Sequence, residues 1–398
     1  MSDREQDGQI TCPVCGQCDA MPLAEIDKVP IWCNVLFKSQ EEALSVARGR
    51  ISLHFCLRCA HTFNAAFDPA ALGYDVGYEN TLDHSARFRE YVQALANMLI
   101  ERYDLHGKDI VDIGCGQGAF LTLLCELGDN RGVGFDPSYD AMANVAPPTT
   151  RVTFIRDHYS MRYAHVPADL CISRQVLEHI ARPISFLRDL RAAIGDRRQA
   201  RVFFEVPNAL FTLEDLSVWD IIYEHPSYFS HCSLSEAFSR AGFRVEDVWP
   251  TYEGQFLCID AVPEADAGIQ AICSDGELRR LRDIAAAFRR RRDEKIAHWG
   301  ALLQELRAEG ARAVVWGAGS KGVMFLNSLD TAGVIDYAVD INPRKQGMFV
   351  SGTGQRIVPP EFLVSYRPEV VILMNPVYQE EIGQSLDEMG LQTRIVVA

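Results

Sequence analysis

Ile110-Val111-Asp112-Ile113-Gly114-Cys115-Gly116-Gln117-Gly118-Ala119-Phe120-Leu121-Thr122-Leu123-Leu124 is the stretch on which the fold turns. Its first four residues read as a short buried strand, the glycines as a turn, and the run from Ala119 as the opening of a helix. Glycines let a ligand approach the backbone closely, and the helix start offers unpaired N–H groups at the positive end of the helix dipole. A second strand follows, Gly132-Val133-Gly134-Phe135-Asp136, with its acid 22 positions after Gly114. That spacing suits a carboxylate binding two ribose hydroxyls, as both nicotinamide and S-adenosylmethionine (AdoMet) sites do. The glycine turn alone is a weak signal. Strand, G-x-G-x-G, helix, strand and acid in that order indicate a nucleoside-cofactor site.

Further strands follow at 152–155, 168–173 and 200–206 with helical patterns between them, so the sheet is expected to be doubly wound, with ligands at the carboxyl ends of its strands. Pro137, Asp157, His158 and Gln175 fall at such ends, and Asp157 could accept from an adenine amino group. Upstream, 84–103 has the apolar spacing of an amphipathic helix. Downstream, 267–309 reads as a long helical connector whose Arg289 to Arg292 run forms a solvated face. A second glycine turn, Gly317-Ala318-Gly319-Ser320-Lys321-Gly322, follows the strand Ala313-Val314-Val315-Trp316, and its strand-end acid Asp340 lies 23 positions after Gly317. This turn lacks the G-K-[ST] ending of a P-loop, so NTP hydrolysis is not indicated; it either binds a nucleotide or forms a small structural lobe.

Residues 1 to about 70 hold six of the twelve cysteines. Cys12-Pro13-Val14-Cys15 and Cys56-Leu57-Arg58-Cys59 are two C-x2-C knuckles, which together can close a four-thiolate zinc site with no open position, a structural rather than a catalytic arrangement. Cys18, His54 and His61 are alternative ligands, and reduced, unligated thiols are the plainer reading. The 398 residues allow two to four domains. A net charge of −15 argues against a nucleic-acid partner, and no apolar run is long enough for a membrane span. The charged N-terminus is not followed by an apolar signal segment, so the cysteines are expected in a reducing, cytoplasmic setting.

These elements share an order with Tyr78-Glu79-Asn80 before His84-Ser85, with Glu224-His225 before Tyr228-Phe229-Ser230, and with Asp340-Ile341-Asn342-Pro343-Arg344-Lys345-Gln346-Gly347 before Ser351-Gly352-Thr353. The whole resembles the three-domain sugar C-methyltransferases. The resemblance implies an α/β fold: a doubly wound class I methyltransferase sheet with an N-terminal zinc domain (1–72), a methyltransferase domain (73–262), the helical connector (263–309) and a C-terminal Rossmann-like domain (310–398). It also implies AdoMet against Asp112, Gly114, Gly116, Gln117 and Gly118 with its ribose on Asp136. The substrate's nucleotide diphosphate would lie near Gly317, Gly319, Ser320, Lys321, Asp340, Lys345 and Asn375. Lys321 and Lys345 would supply the local cations an acidic protein needs to hold a diphosphate.

AdoMet carries an activated methyl, so the protein must align an acceptor and, for a carbon beside a ketone, remove a proton. His225 is the leading base, since a neutral imidazole can accept that proton; the plainer reading is a turn histidine ahead of Pro226. Glu224 could orient His225, Tyr78 or Tyr223 could donate to the developing enolate, and Glu178-His179 is a rival base pair. Two departures from the family fall on the acceptor side: Ile222 stands where a Tyr is usual, and Tyr252-Glu253-Gly254-Gln255-Phe256-Leu257 replaces an H-G-G-S-like strand. The expected activity is AdoMet-dependent methylation of a small molecule, a nucleotide-activated sugar or related glycan precursor. Sugar O-methylation is the near variant. An NAD-dependent oxidoreductase is a rival weakened by the G-x-G-x-G spacing and the lack of a Tyr-x-x-x-Lys pair, and a zinc-bearing interaction module is the non-enzymatic one.

Overall fold

A computed structural model describes residues 10–72, 79, 81–140, 151–264 and 273–398; Tyr78 and Asn80 fall outside them. Near the N-terminus β1 (Ala20–Pro30), β2 (Arg48–Cys56) and β3 (Thr62–Asn64) pair antiparallel. In β2 the alternate residues Ile51, Leu53 and Phe55 are buried, the two-residue period of a strand. Next come β4 (Asp109–Ile113), β5 (Arg131–Phe135), β6 (Val152–Ile155), β7 (Leu170–Arg174) and β8 (Arg201–Pro207), all mutually parallel and within two residues of the strands read from the sequence.

The chain then returns to the N-terminal sheet. β9 (Ser227–Tyr228) pairs with Thr62 and Phe63 of β3, giving the order β1-β2-β3-β9. A hairpin of β10 (Phe243–Thr251) and β11 (Phe256–Pro263) closes the central sheet, with β11 antiparallel to β8. The central order is β10-β11-β8-β7-β4-β5-β6, the class I methyltransferase sheet. Strand order reverses between β4 and β7, so the crevice beyond their carboxyl ends is the place for a ligand. The last sheet, β12 (Ala313–Trp316), β13 (Ile335–Val339), β14 (Arg356–Val358), β15 (Val370–Leu373) and β16 (Arg394–Val397), is wholly parallel in the order β14-β13-β12-β15-β16.

The connector is a helix over Asp275–Glu309, capped by the Ser274 hydroxyl accepting from Glu277 N and ended at a left-handed Gly310. Leu281, Ala285, Phe288, Trp299, Leu303 and Leu306 lie buried at helical spacing, and they join the N-terminal sheet and the C-terminal lobe in one hydrophobic core. Trp219 and Trp299 both meet Phe325 edge-on at 5.0 Å within it. Two further contacts join the lobes: Ser85, which caps the Ala86–Tyr103 helix, donates to Glu381 at 2.6 Å, and Arg48 donates to Gly352 O at 2.7 Å. Cys232 and Cys273 are joined as a disulfide, a pairing the expectation of zinc-bound or reduced thiols did not include. Among the described residues no helix is long and apolar enough to cross a membrane.

Candidate functional site

The turn after β4 has its three glycines in the left-handed region, at φ 76, 55 and 84° for Gly114, Gly116 and Gly118. A Cβ at Gly114 would come within 2.3 Å of Val176 and one at Gly118 within 2.1 Å of Phe154, so the turn is closed to any larger residue at both positions. Asp136 lies at the tip of β5, where its Oδ2 accepts from Gly116 N at 2.9 Å and its Oδ1 from Ser138 N at 2.7 Å. Gln117 reaches the same segment, accepting from Asp140 N. Asp112 is buried beneath the turn, and burial pushes its carboxyl up to about 7. Asp157 accepts from the Tyr163 hydroxyl at 2.6 Å and His158 N at 2.8 Å; His158 itself is exposed, and Pro137 O accepts from Arg156. Gln175, at φ 55°, donates to the buried Glu205 at 3.0 Å, and Arg174 donates to the same carboxylate. These residues ring a cradle whose left-handed glycines and strand-end acid fit a nucleoside cofactor.

A cavity of about 320 Å³ opens between the central sheet and the C-terminal lobe. Gln175, Glu178, His179 and His225 line one side, and Gly317, Gly319, Ser320 and Lys321 line another. Val176, which packs on Gly114, stands beside this segment, so the cofactor turn and the cavity adjoin. The His225 ring meets His179 edge-on at 4.7 Å and lies 6.0 Å from Tyr228. Burial, followed by the charges of His179 and Lys321, holds His225 well below its usual 6.5, while burial takes His179 down to about 4. Both imidazoles are therefore neutral at pH 7. Burial pushes the Glu178 carboxyl up to about 8, in keeping with a buried Oε2 that has no hydrogen-bond partner among the described residues. The far wall is aromatic: Tyr252 stacks on Phe256 at 5.2 Å, beside Phe88 and Tyr378. Gln255 and Asn375 exchange amide hydrogen bonds of 3.1 and 2.8 Å across the two lobes.

Three expected roles change. Tyr223 points away from the cavity: its hydroxyl bonds the backbone of Asp68 and its ring fills the space over Gly49, while Ile222 lines the cavity instead. The two residues stand at a turn, closed by His225 N donating to Ile222 O at 3.3 Å, so their side chains leave it in different directions. Glu224 accepts from Cys33 N at 2.9 Å, and its backbone carbonyl meets a ring nitrogen, Nδ1 of His179. Glu224 thus anchors the His225 segment to the N-terminal module, at the loop after β1, and contacts the rival histidine. Lys345 lines the cavity but is buried there, paired with Asp340 at 3.5 Å and donating to Ala318 O, so its ammonium is already engaged. Tyr78 lies outside the described residues.

The second turn repeats the device of the first: Asp340 Oδ2 accepts from Ala318 N at 3.0 Å, as Asp136 does from Gly116 N. Gly317 has φ 111°, and a side chain at Gly322 would strike Gly317 O at 2.0 Å. Lys321 forms an ion pair with Asp220 at 3.1 Å. Ile222 and Gln255, flagged in the sequence as departures on the acceptor side, do line the cavity, whereas Asp220 carried no signal in the sequence and is brought there by the fold.

Cys12, Cys15, Cys56 and Cys59 are all buried, with sulfur separations of 3.6 Å for Cys12–Cys59 and 3.4 Å for Cys15–Cys56. Such an all-sulfur cluster fits a structural tetrahedral metal. Cys18 is exposed beside Thr11, His54 bonds Ser52 O, and His61 packs between Phe63 and Phe229, so none of the three joins it.

Residues 84–248 match the methyltransferase domain family and residues 263–398 the C-methyltransferase C-terminal domain family. With the sheet order and the glycine turn, these matches make the chain an AdoMet-dependent methyltransferase. It is similar to the C-methyltransferase NovU of Streptomyces niveus, 26% identical over 390 residues that cover 93% of this chain and 90% of the relative, which supports a C-methyltransferase family. Among solved structures, the riboflavin-derivative dimethyltransferase RosA of Streptomyces davawensis is 23% identical, with a TM-score of 0.35, over 44% of this chain and 56% of its own. An AdoMet-dependent methyltransferase of Listeria monocytogenes is 15% identical, with a TM-score of 0.34, over 43% and 99%.

Proposed function

We propose that the protein C-methylates a nucleotide-activated ketosugar, with His225 as the general base. The observation that carries this reading is the shared cavity: two neutral histidines beside the cofactor turn face the glycine turn of the C-terminal lobe. AdoMet, when bound against Gly114 to Gly118, supplies the activated methyl. The chain's own residues do the rest. His225 removes the proton from the carbon next to the ketone, and the enclosed geometry holds that carbon in line with the methyl. The anion site of the second turn, Gly317 to Ser320 at the start of the Ser320–Ser328 helix, receives the diphosphate, and the aromatic wall and the Gln255–Asn375 pair border the rest of the substrate.

In this reading zinc on the four clustered thiolates is structural, and the chain divides into a zinc domain (1–72), a methyltransferase domain (73–262), a connector (263–309) and a nucleotide lobe (310–398) working in the cytoplasm. Incubation with labelled AdoMet and a panel of dTDP- and UDP-4-ketosugars tests it. The expected product is about 14 Da heavier, one CH2 per transfer, with the methyl on carbon. A methyl found on oxygen would establish the O-methyltransferase variant, and no transfer to any member would overturn the sugar assignment.

A further inference from the structure

Removing a proton beside a ketone leaves negative charge on the carbonyl oxygen, and a catalyst gains most by placing a donor where that charge develops. The tyrosines flanking His225 do not supply it. Tyr223 is committed to Asp68, and the Tyr228 hydroxyl accepts from Ile222 N at 3.0 Å and donates to Ile222 O at 3.2 Å. Among the described cavity-lining residues the fixed cations are Lys321 and Lys345, and Lys345 is buried against Asp340 and Ala318 O. Lys321 differs: it enters from the C-terminal lobe, passes over Phe211, and is held at 3.1 Å by Asp220, whose other oxygen accepts from the Ser217 hydroxyl at 2.8 Å. An ammonium has three N–H donors, and Asp220 takes one of them. A diphosphate seated on Lys321 would also have to approach the Asp220 carboxylate, whereas a single enolate oxygen asks for only one donor.

We propose that Lys321 is a catalytic residue of the methyltransferase, donating to the enolate oxygen formed when His225 takes the α-proton, and that Asp220 positions it. The proposal rests on the ketosugar reading above. In the step itself the C–H pair becomes the C=C bond, the carbonyl π pair moves onto oxygen, and the proton resides on His225. The enolate carbon then takes the methyl from the sulfonium while the S–C pair stays on sulfur; the carbonyl re-forms and His225 releases its proton to water. The charge of Lys321 also helps keep His225 neutral, and hence able to accept.

The test is exchange of the α-hydrogen for deuterium in D2O without AdoMet, across the same panel of dTDP- and UDP-4-ketosugars, alongside kcat with AdoMet and dTDP and UDP affinity by calorimetry. For Lys321→Met the expected result is a loss of about 100-fold or more in both exchange and kcat, with nucleotide affinity held within about threefold. Retained exchange with nucleotide affinity weakened about tenfold would overturn the proposal in favour of a phosphate clamp. Should Lys321→Met fail to fold, Asp220→Asn decides: kcat must fall while nucleotide affinity holds, and wild-type kcat in that variant overturns the positioning role. Wild-type protein that neither exchanges nor methylates any member would overturn the ketosugar reading itself, and the proposal with it.

Discussion

At the scale of single residues the proposed chemistry centres on His225. Its ring lies against His179 in a buried setting that disfavours the charged form, so it stays a competent base below the usual histidine range. The acid limb of kcat/KM should accordingly fall below pH 6.5, with turnover at pH 6 within about twofold of that at pH 7.5; a half-maximal point at 6.5 would point to an exposed imidazole. His225→Ala should lower turnover about 10²-fold or more while AdoMet affinity by calorimetry is unchanged. Glu178 gives the opposite pH sign. Its folded pKa of about 8 lies above the unfolded value of 4.5, so between them the folded state binds more protons and stability is lost as pH rises through that window. Glu178→Gln should therefore melt progressively higher relative to wild type as pH is raised from 5 to 8, checked by thermal unfolding. His225 was legible from the Glu224-His225 pairing with Tyr228, but the direction of Tyr223 was not, because which of two adjacent side chains enters a cavity is set by what packs on the other.

At the scale of elements the two strand–glycine–helix units were the most legible parts of the chain. Their signal is local: a buried strand, left-handed glycines and an acid one strand later, whose carboxylate receives a turn amide at 2.9 Å in the first unit and 3.0 Å in the second. Gly114→Ala adds a Cβ 2.3 Å from Val176 at φ 76°, and should cost on the order of 1–3 kcal/mol as well as weakening AdoMet binding. Denaturant melts and calorimetry check this. The long helix was likewise readable from its apolar spacing. The two-residue strand Ser227–Tyr228 was not, since its only reason to be extended is its partner β3, more than 160 positions earlier.

At the scale of the whole molecule the N-terminal module is wired into the segment that carries His225. β9 follows His225 almost at once and pairs with β3; Glu224 accepts from Cys33 N, and the Ser230 hydroxyl donates to Ala60 O, next to Cys59. Cys59→Ser is therefore expected to lower metal content, melting temperature and turnover together, measured by metal analysis, thermal unfolding and the methyl-transfer assay. Lost metal with unchanged turnover would show that the module does not support His225.

By itself the sequence determined the modules: the knuckle cysteines, the two glycine turns with their acids, the strand runs and the connector, all of which are written in neighbouring residues and short periods. Tertiary structure decided how the cavity is assembled. Asp220 and Ile222, Gln255 and Lys321 come from three distant stretches of the chain, and what each touches follows from burying one common core between the N-terminal sheet, the long helix and the C-terminal lobe. Lys321 shows the physical reason: its place in a glycine turn is local sequence, whereas its ion pair with Asp220 and its position in the same cavity as His225 follow from the fold.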